Sequence, residues 1–166
     1  MSRVKNYLPL NVLKTLYFSF IYPHLTYGIV TWGAATSQCL QKLNILHNRA
    51  VRFMTKSKYN TPINHMYNLA YCLKISEIYK LSLIQFFFKW KNNLLRLNAL
   101  QYFSVQNNYN LRNNIIHAYN RTTSRQKHAF IAGPILWSQL DSNIKNINSI
   151  VILKKRYKIF LLSQYD

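Results

Sequence analysis

The sequence predicts a mainly α protein: a helical bundle of about five to seven helices with a polar basic loop and a small C-terminal helical appendage. Apolar residues recur every three or four positions along several segments, as on helices with one buried side. Proline, serine or threonine stands where most of these segments begin, in positions typical of helix starts. Hydrophobic residues form 49% of the 166-residue chain, which is sufficient for a core.

Two helices are predicted at the start of the chain. Pro9 fits the first turn of a helix that we expect to reach Tyr22. Pro23 is expected to break the helical path there and to open a second helix over 25–32. Gly33 then provides the stop.

A third helix is predicted over 37–55, and it is the clearest one in the chain. At about 100° per residue its expected core residues share one side: Cys39, Leu43, Leu46, Ala50 and Phe53. Basic residues occupy a neighbouring arc of about 80°, provided that the helix continues through its last turn: Lys42, Arg49, Arg52 and Lys56. No acid compensates them at helical spacing, so we interpret this stripe as phosphate-facing; an ordinary solvated helix side is the alternative.

Two further helices are predicted after a short gap. Thr61 and Pro62 form an N-cap and first-turn pair for a helix to about Tyr71. Ser76 begins a longer, central helix to about Asn92. Its inward side is predicted to comprise Ile78, Leu81, Ile84 and Phe88. Three more aromatic residues, interpreted as core rather than as platforms for stacked bases, widen that side: Phe86, Phe87 and Trp90.

A change of composition marks a candidate domain boundary. The helical patterns of 1–103 give way to a polar basic linker over 104–128, and helical patterns resume in a C-terminal segment over 129–166. Tyrosine and basic residues are interspersed in the linker: Tyr109, Arg112, Arg121, Arg125 and Lys127. Rings and guanidinium groups in this arrangement suit single-stranded nucleic acid. A polar loop in which tyrosine merely pins the chain to the core is an equal alternative.

Two helices are predicted in the C-terminal segment. Gly133 and Pro134 punctuate the chain before a short helix over 135–140, which packs Trp137. Ser149 caps the last helix. Its apolar side is predicted to comprise Ile150, Leu153, Tyr157 and Phe160. Its basic side comprises Lys154, Lys155 and Lys158, with Arg156 further round.

Charge gives the strongest indication of function. The chain has 22 Lys and Arg but only 3 acids, Glu77, Asp141 and Asp166, and its formal net charge is +19. Such a surface repels itself and is stabilised by a polyanion, of which nucleic acid is the commonest in a cell. AT-rich codon bias is an alternative cause of abundant Lys, but it does not explain the scarcity of acids. We therefore expect RNA, DNA or an RNA–DNA hybrid as the partner.

The same scarcity of acids argues against catalysis by this chain. Metal-dependent nucleotidyl transfer needs clustered carboxylates, and no two acids are close in the sequence. Cys39 and Cys72 lack the spacing of a zinc site, and the five histidines are scattered. We predict no catalytic residue, no metal, no cofactor and no small-molecule substrate.

One stretch without charged residues, 15–41, is long enough to span a bilayer. Pro23, His24 and several tyrosines would be costly there, so two short core helices are favoured. A small basic protein anchored in a membrane through 16–32 is kept as an alternative. The first residues lack the pattern of a signal peptide, and an intracellular protein, cytoplasmic or nuclear, is expected.

Four segments carry a family resemblance. They are LYFSFIYPHLTYGIVTWG at 16–33, LQKLNILHNRAVRFM at 40–54, NNYNLRNN at 107–114, and the stretch from Gly133 to Leu162. Their order and spacing resemble the region after the palm in reverse transcriptases of non-LTR retrotransposons, the Jockey- and CR1-like LINE elements. Two departures are Ser138 and Asp141, which stand where that family usually has Asn and Pro.

The resemblance implies a parent RNA-directed DNA polymerase, whose Tyr-Ala-Asp-Asp type motif has no counterpart in this chain. It also implies a thumb-like helical region that grips template and product through phosphate contacts, beside a palm and fingers that this chain lacks. The leading hypothesis is therefore a non-catalytic nucleic-acid-binding fragment. An inert remnant or scaffolding piece of a truncated element is the alternative, and it predicts exposed apolar patches where the palm would dock.

Overall fold

The computed structural model describes residues 7–95 and 129–165, and within these ranges the regular elements are helices without any strand. In chain order they are α1 (Leu10–Leu16), a π-helical segment (Tyr17–Ile21), α2 (Tyr22–Thr26), α3 (Ile29–Trp32), α4 (Ser37–Met54), α5 (Ile63–Ala70), α6 (Ile75–Lys91), α7 (Ala129–Ser138), α8 (Ser142–Lys145) and α9 (Ile150–Ser163). The predicted mainly α class is confirmed. None of these helices combines the length and the apolar character needed to cross a bilayer.

The first helical path continues through Pro23, so the predicted break at that residue is wrong. The π-helical segment lets Tyr22 donate its N–H to the carbonyl of Tyr17, five residues back. This wider turn makes room for the proline ring, which would crowd the carbonyl four residues earlier in a regular α-helix. The break falls instead at Gly28, whose φ of 60° is the left-handed conformation that glycine adopts without strain.

α4 spans the predicted residues to within one position, but its buried side is different. His47, Val51 and Met54 are buried, whereas Leu46 is 60% exposed and Cys39 is exposed. The buried side is rotated by roughly 90° from the predicted one. The cause is His47, whose ring bonds to Tyr17 and Tyr67 in the core. A prediction based only on apolar residues does not count a histidine as part of the buried side.

α5 and α6 begin one residue away from the predicted starts. Pro62 is the N-cap of α5, and Thr61 makes no cap there. In α6 the N-cap is Lys74, whose N–H donates to the Glu77 carboxylate at 3.2 Å. The predicted inward residues of α6 are confirmed as buried: Ile78, Leu81, Ile84 and Phe88. Phe87 is also fully buried, so α6 is central to the core as expected.

α7 is longer than predicted and contains both Gly133 and Pro134, which therefore do not separate elements. α7 packs closely on α6 at Gly133, where an added Cβ would lie 3.5 Å from the Cβ of Phe87, an ordinary contact distance. Pro134 lies in the second turn, where losing one N–H costs the helix a single hydrogen bond. Trp137 is buried as predicted.

α9 begins after Ser149 as predicted, although the serine side chain makes no cap bond. Leu153 and Tyr157 are buried as expected. Phe160 is 45% exposed, and Leu161 and Leu162 replace it, so the predicted apolar side is wrong at this position. α9 packs along α6, and this contact decides which of the many apolar residues of α9 are covered.

One core joins the two described ranges. Its buried members include Leu13 and Tyr67 from the first range and Trp137, Leu153 and Tyr157 from the second. The link continues at the chain end, where the N–H of Lys74 donates to the Tyr165 hydroxyl at 3.0 Å. The linker predicted over 104–128 lies outside the described residues.

Candidate nucleic-acid interface

The basic side of α4 is built from residues opposite its buried side. Lys42 and Arg49 are exposed, and at about 100° per residue their positions lie roughly 180° from the centre of His47, Val51 and Met54. The helix has no acidic residue along its length. Two cations therefore point away from the bundle, where a phosphate backbone can reach both.

Arg52 occupies the edge of this side and is half-buried. Its Nε atom is buried and finds no hydrogen-bond partner among the described residues. Its guanidinium carbon lies over the ring of Tyr59, 5.4 Å from the ring centre. Arg52 thus makes an aromatic contact at the C-terminal end of α4.

Lys56 does not belong to the helical stripe, so this part of the four-residue prediction is wrong. α4 ends at Met54, and Lys56 has a left-handed φ of 53° beyond that end. The side chain is exposed, in the loop that leads to α5. Lys56 is therefore a loop cation near Arg52 in sequence rather than the last member of a straight row.

The second basic surface is on α9. Lys154, Lys155 and Arg156 are exposed, and this helix also has no acidic residue. Lys158 differs: it is half-buried, and its Nζ lies 4.5 Å from the centre of the Tyr71 ring. Burial lowers the pKa of Lys158. Lys158 thus links α9 to the residue that follows α5, and this predicted binding residue is less exposed than Lys154 and Lys155.

The two basic surfaces belong to different parts of the bundle. α4 packs against α1, the π-helical segment and α5, whereas α9 packs against α6 and α8. Five residues of the predicted interface lie outside the described residues: Tyr109, Arg112, Arg121, Arg125 and Lys127. The exposed or half-buried helical cations that remain as candidates are Lys42, Arg49 and Arg52 on α4 and Lys154, Lys155 and Arg156 on α9, with Lys56 in a loop and Lys158 packed on Tyr71.

A buried polar network, which sequence patterns do not indicate, supports α4 from behind. The Tyr17 hydroxyl is 2.7 Å from His47 Nε2, the Tyr67 hydroxyl is 3.0 Å from His47 Nδ1, and Tyr67 donates to Asn48 Oδ1 at 2.7 Å. Since the Tyr67 proton goes to Asn48, Nδ1 carries the imidazole proton and Tyr17 donates to Nε2. With this assignment the imidazole is neutral, and both of its nitrogens have a hydrogen-bond partner.

Burial shifts the pKa of each group in this network toward its neutral form. Desolvation lowers the pKa of His47 to about 4 and raises the pKa of Tyr17 and of Tyr67. It also raises the pKa of the nearby Cys72 thiol to about 11. These groups are held neutral near pH 7, which suits a structural network that orients the π-helical segment, α4 and α5.

Comparison with known proteins adds no relative. No known family, curated protein or solved structure matches the chain. Within residues 7–95 and 129–165, no three His, Cys, Asp or Glu side chains come together as metal ligands would. The candidate interface therefore rests on the positions of its own cations.

Proposed function

We propose that this chain is a non-catalytic nucleic-acid-binding module that holds RNA, DNA or an RNA–DNA hybrid through phosphate contacts. The observation that carries the proposal is the pair of acid-free basic helix surfaces, on α4 and on α9, in a chain of net charge +19. Lysine and arginine on such surfaces neutralise phosphates and release their counterions, whatever the base sequence. The binding is therefore expected to be general rather than sequence-specific.

The resemblance noted above suggests a parent for this module. In this proposal the module is the C-terminal, thumb-like part of a non-LTR retrotransposon RNA-directed DNA polymerase, working in the cytoplasm or nucleus beside the fingers and palm of its parent. The motif at 16–33 supplies Tyr17, Leu25 and Ile29, which are all buried. Motif residues of this kind support the packing of a helical region, and the exposed cations within the motifs at 40–54 and 133–162 are left for the nucleic acid.

The proposal is tested by measuring the affinity of the full chain for labelled RNA, DNA and hybrid duplexes at several salt concentrations. We expect the logarithm of the association constant to fall linearly with the logarithm of salt, by about 0.9 per phosphate neutralised on a B-form duplex. The slope should be similar for oligonucleotides of unrelated sequence. An affinity that stays constant between low and physiological salt would refute the proposal.

A second candidate function, a scaffolding piece that docks another protein, is favoured by exposed apolar residues. Phe20 is 63% exposed near the start of the chain, and Val151 and Ile152 on α9 are 72% and 50% exposed. Apolar surface of this kind is suited to covering by a protein partner such as a polymerase palm. Sedimentation of the isolated chain discriminates: self-association that increases with salt, without salt-sensitive nucleic-acid binding, would favour scaffolding.

A further inference from the structure

The loop between α4 and α5 is held by its own hydrogen bonds. The Thr55 hydroxyl donates to the carbonyl of Val51 at 3.0 Å and lies 2.7 Å from the Ser57 hydroxyl. Further along, the N–H of Thr61 donates to the carbonyl of Lys58 at 3.2 Å, which closes a four-residue turn. Tyr59 is the first central residue of this turn.

The Tyr59 side chain is 86% exposed although it carries a large apolar ring. The guanidinium carbon of Arg52 lies over one side of that ring, 5.4 Å from the ring centre. The exposed fraction shows that the opposite side of the ring is open to solvent. An aromatic ring with a cation behind it and nothing in front is the arrangement on which a nucleic-acid base stacks.

Further cations lie near this ring in sequence. Lys56 and Lys58 are exposed on the same loop, and Arg49 lies one helical turn before Arg52. The left-handed backbone at Lys56, with φ of 53°, turns the chain sharply just after α4 and so keeps this loop beside the helix end. Phosphates on either side of a stacked base would therefore meet positive charge.

We infer that Tyr59 is a stacking platform for an unpaired base of single-stranded RNA or DNA, with Arg52 holding the ring from behind. The inference rests on the proposed function and deepens it by naming the strand type bound at this end of α4. A duplex does not fit the platform, because its bases already stack on one another and their faces are covered. The strand would pass from the basic side of α4 onto the loop 55–62.

The experiment separates base stacking from phosphate binding. Fluorescence anisotropy compares a labelled thymidine strand of about twelve nucleotides with an abasic strand of the same length, so that phosphates are equal and only bases differ. The full chain is used, at low and at physiological salt. The wild type should bind the thymidine strand more tightly than the abasic strand.

Tyr59→Ala should weaken binding to the thymidine strand by about 5- to 100-fold and leave binding to the abasic strand unchanged. Tyr59→Phe keeps the ring and should bind both strands like the wild type. Tyr27→Ala is the matched control, because Tyr27 is 85% exposed and also lies in a turn beside a helix end. Circular dichroism of each variant confirms that the helices are intact.

Each remaining outcome contradicts the inference. If Tyr59→Ala weakens binding to both strands equally, the ring acts only by positioning Arg52 for phosphate, and there is no stacking platform. If Tyr59→Ala binds both strands like the wild type, the ring has no part in binding. If the wild type binds neither strand at low salt, the proposed function fails first, and the platform fails with it.

Discussion

His47 lies at the centre of a buried network in which each hydrogen-bonding atom of the ring has a partner. Only 2% of the residue is exposed, and both ring nitrogens bond to tyrosine hydroxyls. A proton added at Nε2 would leave two donors, the new N–H and the Tyr17 hydroxyl, facing each other. The folded protein therefore resists protonation of this ring, and its pKa is lowered to about 4.

This shift predicts a loss of stability in mild acid. The pKa of His47 is about 4 when folded against an ordinary value of 6.5, so between these pH values the unfolded chain takes up a proton that the folded protein does not. The free energy of unfolding should therefore fall as the pH decreases through this window, by about 3 kcal/mol from this residue. Urea unfolding at a series of pH values measures it.

The variant His47→Gln supplies the control for that measurement. Glutamine does not titrate, so the difference in unfolding free energy between wild type and variant should shrink as the pH falls from 6.5 toward 4. Other groups, such as Glu77, whose pKa is raised by burial, contribute to both proteins and cancel. A difference that stays constant with pH would show that His47 does not cause the acid sensitivity.

Gly33 is a second residue whose identity has a local physical cause. A Cβ there would lie 2.5 Å from the carbonyl oxygen of Ile29 and 2.5 Å from the ring of Tyr79. Gly33→Ala should therefore destabilise the fold by about 1–3 kcal/mol through overpacking between α3 and α6. Thermal unfolding followed by circular dichroism measures the change.

Gly28→Ala is the informative comparison for Gly33→Ala. At Gly28 the constraint is the positive φ of 60°, while an added Cβ would lie 3.7 Å from the Trp32 ring, an ordinary contact. The expected cost is about 1 kcal/mol, from backbone strain alone. Should Gly33→Ala prove no more harmful than Gly28→Ala, the close packing of Gly33 against Tyr79 would not limit stability.

At the scale of elements, helix positions follow from local sequence but helix orientation does not. Spacing and start residues place α4 and α6 to within one residue of where the structure has them, because these signals are local. The buried side of α4 depends on which neighbours the helix meets. The bonds of His47 to Tyr17, thirty residues away in sequence, and to Tyr67, twenty residues away, determine that side. Pro23 shows the same limit, since a π-helical turn accommodates it.

The candidate interface is predictable to a similar extent. The lack of acids on α4 and α9 is visible in the sequence, and the exposure of Lys42 and Arg49 follows once the helix is placed. Burial of Lys158 against Tyr71 and the contact of Arg52 with Tyr59 depend on tertiary packing and loop geometry. Tyr59 carries no periodic pattern, because it lies in a turn.

The basic side of α4 leads to a prediction about binding. Changing Lys42 and Arg49 together to alanine should weaken binding to all nucleic-acid sequences about equally and lower the salt slope by up to about two units. A second double variant, Arg49→Ala with Arg52→Ala, should have a similar effect on the slope. It should also lose affinity for single strands, because Arg52 no longer contacts the Tyr59 ring. Anisotropy titrations at several salt concentrations provide the slopes.

A matched double variant removes the same charge elsewhere. Lys80 and Lys89 are exposed on α6, a helix that carries neither proposed basic surface, and changing both to alanine lowers the net charge equally. If this control reduces the salt slope as much as the α4 variant does, binding depends on total charge and not on the α4 surface. A loss confined to one base sequence would contradict phosphate contact.

At the scale of the whole molecule, the C-terminal helices complete a core that begins near the N-terminus. α6 is the element shared by both parts: α7 packs on it through Phe87 and Trp137, whose ring centres are 5.5 Å apart, and α9 packs along it as well. Two helical parts that share a core in this way are expected to unfold together. The linker between them then joins parts of one folding unit.

That expectation is tested with Leu153→Ala on α9. Leu153 is fully buried, so the variant should lose about 2–5 kcal/mol of unfolding free energy. If the core is shared, hydrogen exchange measured by mass spectrometry will show lower protection in peptides from α4 and α6 as well as from α9. Val151→Ala, at a 72% exposed position on the same helix, should change protection nowhere. Loss of protection confined to α7, α8 and α9 would mean that these helices unfold as a separate unit, and α6 would then have to be stable without the side chains that cover it.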